Sequence, residues 1–263
     1  MKSKPFKLAL IQMKVEGGQI EQNLLRAGAK IAEAAYENAQ VVMLPEAMDL
    51  GWTHPSALTK AQPVPDGETC QFLINEAKKN NLYICAGLIE QDTDKIYNSA
   101  VIINPDGVIL LKHRKINELD IGRKYYSVGD DLNVCQTEFG TFGMLICADA
   151  KDHLLLQRLG EKNASVILSP CSWAVPADHD NNRIPYGQEW VDAYRPPAKE
   201  FSMWIAGCSN VGWMSDGPWQ GYKGIGCSLI VDPKGEVAAT GPYGVEAEAI
   251  IYMEIADKKL YHR

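Results

Sequence analysis

FGMLICADA, residues 142–150, is an apolar run that ends in a cysteine and then an acid. Read as a strand, it poses one question. Cys147 is either one more buried thiol or a nucleophile held up where the strand stops. The chain has 7 cysteines, most of them in apolar runs, and free cysteine is among the most buried residue types. Burial is therefore the starting assumption, and the rest of the chain has to overturn it.

Working outward, the neighbouring segments alternate between strand and helix patterns. LALIQM (8–13) reads as a buried strand, and Ile20, Leu24, Ala27, Ile31 and Ala35 then recur at helical spacing. VVMLP (41–45) is a second apolar run, and Cys70, Leu73, Ile74 and Ala77 mark a second helix. LYICAGLIE (82–90) is a third strand, and NSAVIINPDGVILLKHRK sets two strands around the turn Asn104-Pro105-Asp106-Gly107. The second half repeats that order. After FGMLIC come a helix from His153 to Lys162, the strand SVILSP (165–170), a helix, the strand MWIAGCS (203–209), and a hairpin around Asp232-Pro233-Lys234-Gly235. Aligning Pro45 with Pro170, Leu82 with Met203 and Pro105 with Pro233 gives offsets of 125, 121 and 128. Three similar offsets in one order predict two related halves: an α/β fold of two mixed sheets packed face to face, helices outside, as a single domain over residues 1–263.

Composition bounds the function. The 263 residues contain 46% AVILMFWYC and 22% DEKR, with net charge −7, and no Lys/Arg block exceeds three residues. A folded protein that binds neither nucleic acid nor an anionic membrane is expected. No apolar run is long enough to span a bilayer, and MKSKPFKLALIQM reads as a first strand, not a signal peptide. An odd number of cysteines without CxxC, and the absence of HExxH, suit a reducing cytoplasm and a chain with no metal site and no cofactor.

Three reactive side chains close strand-like runs: Glu46 after VVMLP, Lys115 at the end of VILLKHRK, and Cys147. A carboxylate can take a thiol proton, and an ammonium can hold the oxyanion that forms when a thiolate attacks a carbonyl. LPEAMDLGW (44–52), HRKINELD (113–120) and FGMLICADA resemble the three motif blocks of the nitrilase superfamily of carbon–nitrogen hydrolases. NSAVIINPDG, YYSVGDDL, ASVILSPCSW, SNVGW and CSLIVDPKGEV extend the resemblance, in order, from about residue 7 to 255.

The resemblance implies a Glu46–Lys115–Cys147 triad and a four-layer αββα sandwich with an internal pseudo-two-fold repeat. It also implies a second glutamate after the lysine. The stretch KINELDIGRKYYSVGD has no acid just ahead of Tyr125-Tyr126, so Glu118 is the candidate, with Asp120 nearby. Ala148 stands where nitrilases carry Trp and many amidases Tyr, which argues against a nitrile. Its N–H is the candidate second oxyanion donor. Asp149 is expected to N-cap the following helix. Trp173 is the leading pocket residue, with Trp52, Asn210, Trp213 and Trp219 also candidates, while Cys171 is expected to be structural.

The expected activity is hydrolysis of a small amide or N-carbamoyl compound through a cysteine thioester. Acyl transfer, nitrile hydrolysis and a non-catalytic dimeric scaffold are the alternatives. The resemblance further implies at least a homodimer through helical faces. Pro196-Pro197 is expected to break the segment ahead of the interface helix, and the tail ADKKLYHR is too short for a spiral-forming extension.

Overall fold

A computed structural model describes residues 4–256; the C-terminal tail reading falls largely outside them. The first half runs β1 (Phe6–Gln12), α1 (Ile20–Tyr36), β2 (Val41–Met43), α2 (Ala57–Lys60), α3 (Glu68–Asn80), β3 (Tyr83–Asp92), β4 (Lys95–Ile103) and β5 (Ile109–Arg114). The second runs β6 (Val134–Thr137), β7 (Gly140–Met144), α4 (His153–Glu161), β8 (Val166–Cys171), β9 (Ala174–Val175), α5 (Gln188–Phe201) and β10 (Trp204–Ser209). It closes with β11 (Val211–Trp213), β12 (Lys223–Ile225), β13 (Leu229–Val231), β14 (Val237–Thr240) and β15 (Ala249–Ile255).

Two six-stranded sheets form, ordered β15-β1-β2-β3-β4-β5 and β14-β13-β10-β8-β7-β6. Their pairings match position by position. In each, two parallel pairs (β1/β2 and β2/β3; β7/β8 and β8/β10) are followed by two antiparallel ones, with a further antiparallel strand on the opposite edge. This is the repeat expected from the offsets. Both hairpins close with the same chemistry: Gly107 N–H donates to Asn104 O at 2.8 Å and Gly235 N–H to Asp232 O at 2.9 Å, each glycine at a φ near +80°. A small sheet of β11, β12 and β9 lies beside the second.

Strand alternation sorts the core into layers. On β1, Leu8 and Leu10 join the apolar cluster that includes Phe142, Met144, Val166 and Leu168 of the second sheet. Ala9 and Ile11 join Leu24, Ala27 and Ile31 of α1 and Cys70 and Leu73 of α3. Each such aliphatic side chain taken fully out of water contributes about 1.5–3 kcal/mol before conformational entropy is subtracted. On the far side, α4 and α5 pack together and α5 contacts β10 and β13. The result is helix, sheet, sheet, helix.

Two local expectations differ. Asp152, not Asp149, caps α4, its carboxylate accepting the Leu154 N–H at 2.9 Å. Pro196 and Pro197 do not break the segment but lie inside α5. They forfeit two amide donors, yet Trp190, Tyr194, Pro197 and Ala198 form one buried stripe, and that packing holds the helix.

Candidate active site

Each reactive side chain leaves the end of a strand under backbone constraint. Past β2, Leu44 N–H still bonds Cys85 O, and Glu46 N–H then crosses to Cys171 O on the other sheet at 3.2 Å. The loop lies directly on β3: a Cβ on Gly87 would stand 2.6 Å from Glu46 Cα and 2.9 Å from Pro45 O. Lys115 follows β5, its N–H held by Asn98 O at 2.9 Å. Cys147 opens a single 3₁₀ turn after β7, at a φ of 47°. Left-handed backbone at a non-glycine residue costs about 1–2 kcal/mol and persists only where the surroundings enforce it.

These ends converge. Lys115 Nζ lies 2.8 Å from Glu46 Oε1 and 3.3 Å from Glu118 Oε1, and all three side chains are buried. Asn98 Nδ2 donates to Glu46 Oε1 at 2.7 Å and to Glu118 Oε2 at 3.2 Å, bridging the two carboxylates. Trp52 Nε1 donates to Glu118 at 3.3 Å, and the Lys115 ammonium sits 5.4 Å from the centre of the Trp52 ring. Asn98 was not singled out in the sequence. Its only signal is its place opposite Lys115 across the β4–β5 hairpin.

Charge follows from this geometry. Burial alone would pull the Lys115 pKa down, but the adjacent Glu46 and Glu118 carboxylates outweigh it and hold the ammonium well above its usual value. Burial pushes the Glu118 carboxyl up, the Glu46 charge adds to this, and Lys115 opposes it. Hydrogen bonding to the Cys171 thiol, then burial and the Glu46 charge, push Cys147 well above the ordinary thiol range despite Lys115.

Asp149, completely buried, ties the lysine loop to the cysteine turn. Oδ1 accepts Ile116 N–H at 3.0 Å and Asn117 N–H at 2.6 Å; Oδ2 accepts Ile146 N–H at 2.9 Å and lies 2.8 Å from His113 Nε2. Asn117 Nδ2 completes the link by donating to Ala148 O at 2.7 Å.

Glu46, Lys115, Cys147 and Ala148 line one cavity of about 100 Å³. By the measure in which one water needs about 10–15 Å³, it holds a molecule of several non-hydrogen atoms, not a folded chain. Trp52, Trp173 and Trp219 form its walls with Tyr186 and Trp190, and the Trp173 and Trp190 rings stack at 4.8 Å. Lys151 and Glu189 also face it. The structure separates two other candidates from this space: Asn210 and Trp213 line a neighbouring cavity of about 20 Å³ that shares only Trp52 and Ser172 with it. Glu118 lies behind Lys115 instead of on the wall, and Asp120 is fully exposed. Cys171 is buried behind the cavity, its thiol donating to Ser169 O.

The sequence model of the carbon–nitrogen hydrolase family matches residues 7–261. The chain belongs to that family. The hydrolase is 33% identical to a nitrilase of Pyrococcus abyssi over 88% of this chain and 83% of that one. It is 31% identical to the omega-amidase NIT2 of Mus musculus over 97% and 90%. Its fold superposes on Saccharomyces cerevisiae Nit3, a member of branch 10 of the nitrilase superfamily, with a TM-score of 0.82 and 28% identity, covering 97% of this chain and 91% of that one. No helix among the described residues is long and apolar enough to cross a membrane.

Proposed function

We propose that the hydrolase cleaves the C–N bond of a small amide or N-carbamoyl compound through a thioester on Cys147. Glu46 takes the thiol proton as the sulfur–carbon bond forms. The oxyanion is held by the Lys115 ammonium and the Ala148 N–H, one of the first-turn amides that a helix leaves without an internal partner. Collapse of the tetrahedral adduct breaks the C–N bond, and Glu46 returns the proton to the departing nitrogen. Water then attacks the thioester, giving a proton to Glu46, which passes to the leaving sulfur. Glu118 acts through Lys115, fixing the ammonium from the side away from the cavity.

One observation carries this reading: a buried ammonium 2.8 Å from a buried carboxylate, both on the wall of the cavity that Cys147 enters. A binding scaffold has no use for so costly a burial of charge. The same reading takes residues 1–263 as one hydrolase domain acting in the cytoplasm as a homodimer or larger homo-oligomer. Similarity to the Pyrococcus abyssi nitrilase gives a nitrile as the second substrate class. Ammonia release from a panel of small amides, N-carbamoyl compounds and nitriles tests the proposal. Release from amides is expected, with hydroxamates formed when hydroxylamine is added. Release from nitriles alone, or from nothing in the panel, would overturn it.

A further inference from the structure

Among the described residues, the charged side chains on the cavity wall beyond the reacting groups are Lys151 and Glu189, and they face each other. Lys151 Nζ lies 2.7 Å from Glu189 Oε2, with 45% and 49% of the two side chains exposed. The remaining wall is largely aromatic, and the Lys151 ammonium also rests 4.8 Å from the centre of the Trp190 ring. The position of the pair is fixed by the chain. Lys151 closes the 3₁₀ turn that Cys147 opens, four residues on, or about 8 Å at the usual rise of ~2 Å per residue. Glu189 lies in the first turn of α5, beside Trp190.

A half-exposed ion pair is weakly held and easily divided. A neutral acyl group reaching it would strip water from both charges and return nothing. A lone carboxylate would gain Lys151 but meet Glu189, and a lone ammonium the reverse. A group carrying both charges on one carbon satisfies both: carboxylate to Lys151, ammonium to Glu189. We infer that this pair selects, as substrate, a small amide whose far end is a zwitterionic α-amino acid group, set a few bonds from the carbonyl that Cys147 attacks.

The inference rests on the proposed hydrolysis, and four probes with the same carbon spacing test it: butyramide, 4-aminobutyramide, glutaric acid monoamide and glutamine, which are neutral, cationic, anionic and zwitterionic. The readout is kcat/KM for each in the wild type, Lys151→Met, Glu189→Gln and the exchanged pair Lys151→Glu with Glu189→Lys. Lys151→Met keeps the stem over Trp190, and the exchange keeps an ion pair, so folding is retained. In the wild type, glutamine should exceed butyramide by about tenfold or more, with the singly charged probes between. Lys151→Met should remove the advantage of the anionic probe, and Glu189→Gln that of the cationic one. Glutamine within about threefold of butyramide, or a preference that survives both single variants, overturns the inference. So does an absence of turnover with all four. An acyl adduct on Cys147 from other amides would in that case leave the triad reading intact.

Discussion

The Lys115 ammonium stands 2.8 Å from the Glu46 carboxylate, in a site that also buries Glu118. The two carboxylates keep Lys115 protonated against its burial, while the hydrogen bond to Cys171, burial and the Glu46 charge raise Cys147. Consequences follow for Glu46 itself, for Asp149, and for Gly87 and Glu90 on β3.

Glu46→Gln removes the proposed base and a negative charge beside the thiol, so hydrolysis and the thiol pKa should both fall. Amide hydrolysis should fall by about 10²–10⁴. The apparent pKa for alkylation of Cys147 by iodoacetamide should drop, because the Glu46 charge is one of the causes that raises it. Retained hydrolysis, or an alkylation pKa that rises, would remove Glu46 from the role of base.

Asp149→Asn keeps the side-chain shape but replaces one acceptor with a donor facing the Ile146 N–H. The lysine loop and the cysteine turn would lose their common anchor. We expect kcat to fall by at least about tenfold with KM little changed, since the cavity walls are untouched. A rise in KM alone would show that Asp149 serves binding instead of alignment.

Gly87→Ala places a methyl group 2.6 Å from Glu46 Cα, against backbone that cannot yield cheaply. Overpacking of this kind costs about 1–3 kcal/mol, or a few degrees in Tm for a chain this size. Activity should fall further than stability alone explains, because Glu46 must shift. An unchanged Tm and unchanged kcat would contradict the close approach of the Glu46 loop to β3.

Glu90, on β3, is buried, yet hydrogen bonds from Arg114, Lys112 and Ser99 outweigh burial and hold its carboxyl down at about 2, against an ordinary 4.5. A lowered folded-state pKa means stability that is present above pH 4.5 and lost as pH falls toward 2. Between those values, Tm of the wild type should decline more steeply than that of Glu90→Gln. Parallel curves would remove Glu90 as the cause.

Much of this fold was legible in the sequence because periodicity records which face is buried. Cys70, Leu73, Ile74 and Ala77 are all buried in α3, as their spacing predicts. On α1, Ala34 is fully buried and Ala35 partly buried against the same core, so the buried stripe ends one residue off the expected position. The matching hairpins and their offsets predicted the paired sheets. What periodicity does not record is a contact between side chains far apart in the chain. Asn98 reads as an ordinary strand residue until the β4–β5 pairing sets it across from Lys115 and the sheet packing brings Glu46 over it. Asp149 reads as a cap because an acid before a helix usually is one; only the lysine loop, 33 residues earlier, makes it a tie. Asn210 shows the converse, an attractive polar residue that the small β11–β12 sheet turns toward a different cavity.

The covalent step is the centre of the account, and intact-mass measurement after acid quench addresses it directly. During turnover of a hydrolysed amide, the wild-type chain should gain the mass of the acyl group, and Cys147→Ala should show neither that gain nor ammonia release. Hydrolysis that persists in Cys147→Ala, or an adduct that maps to another residue, would contradict a thioester on Cys147.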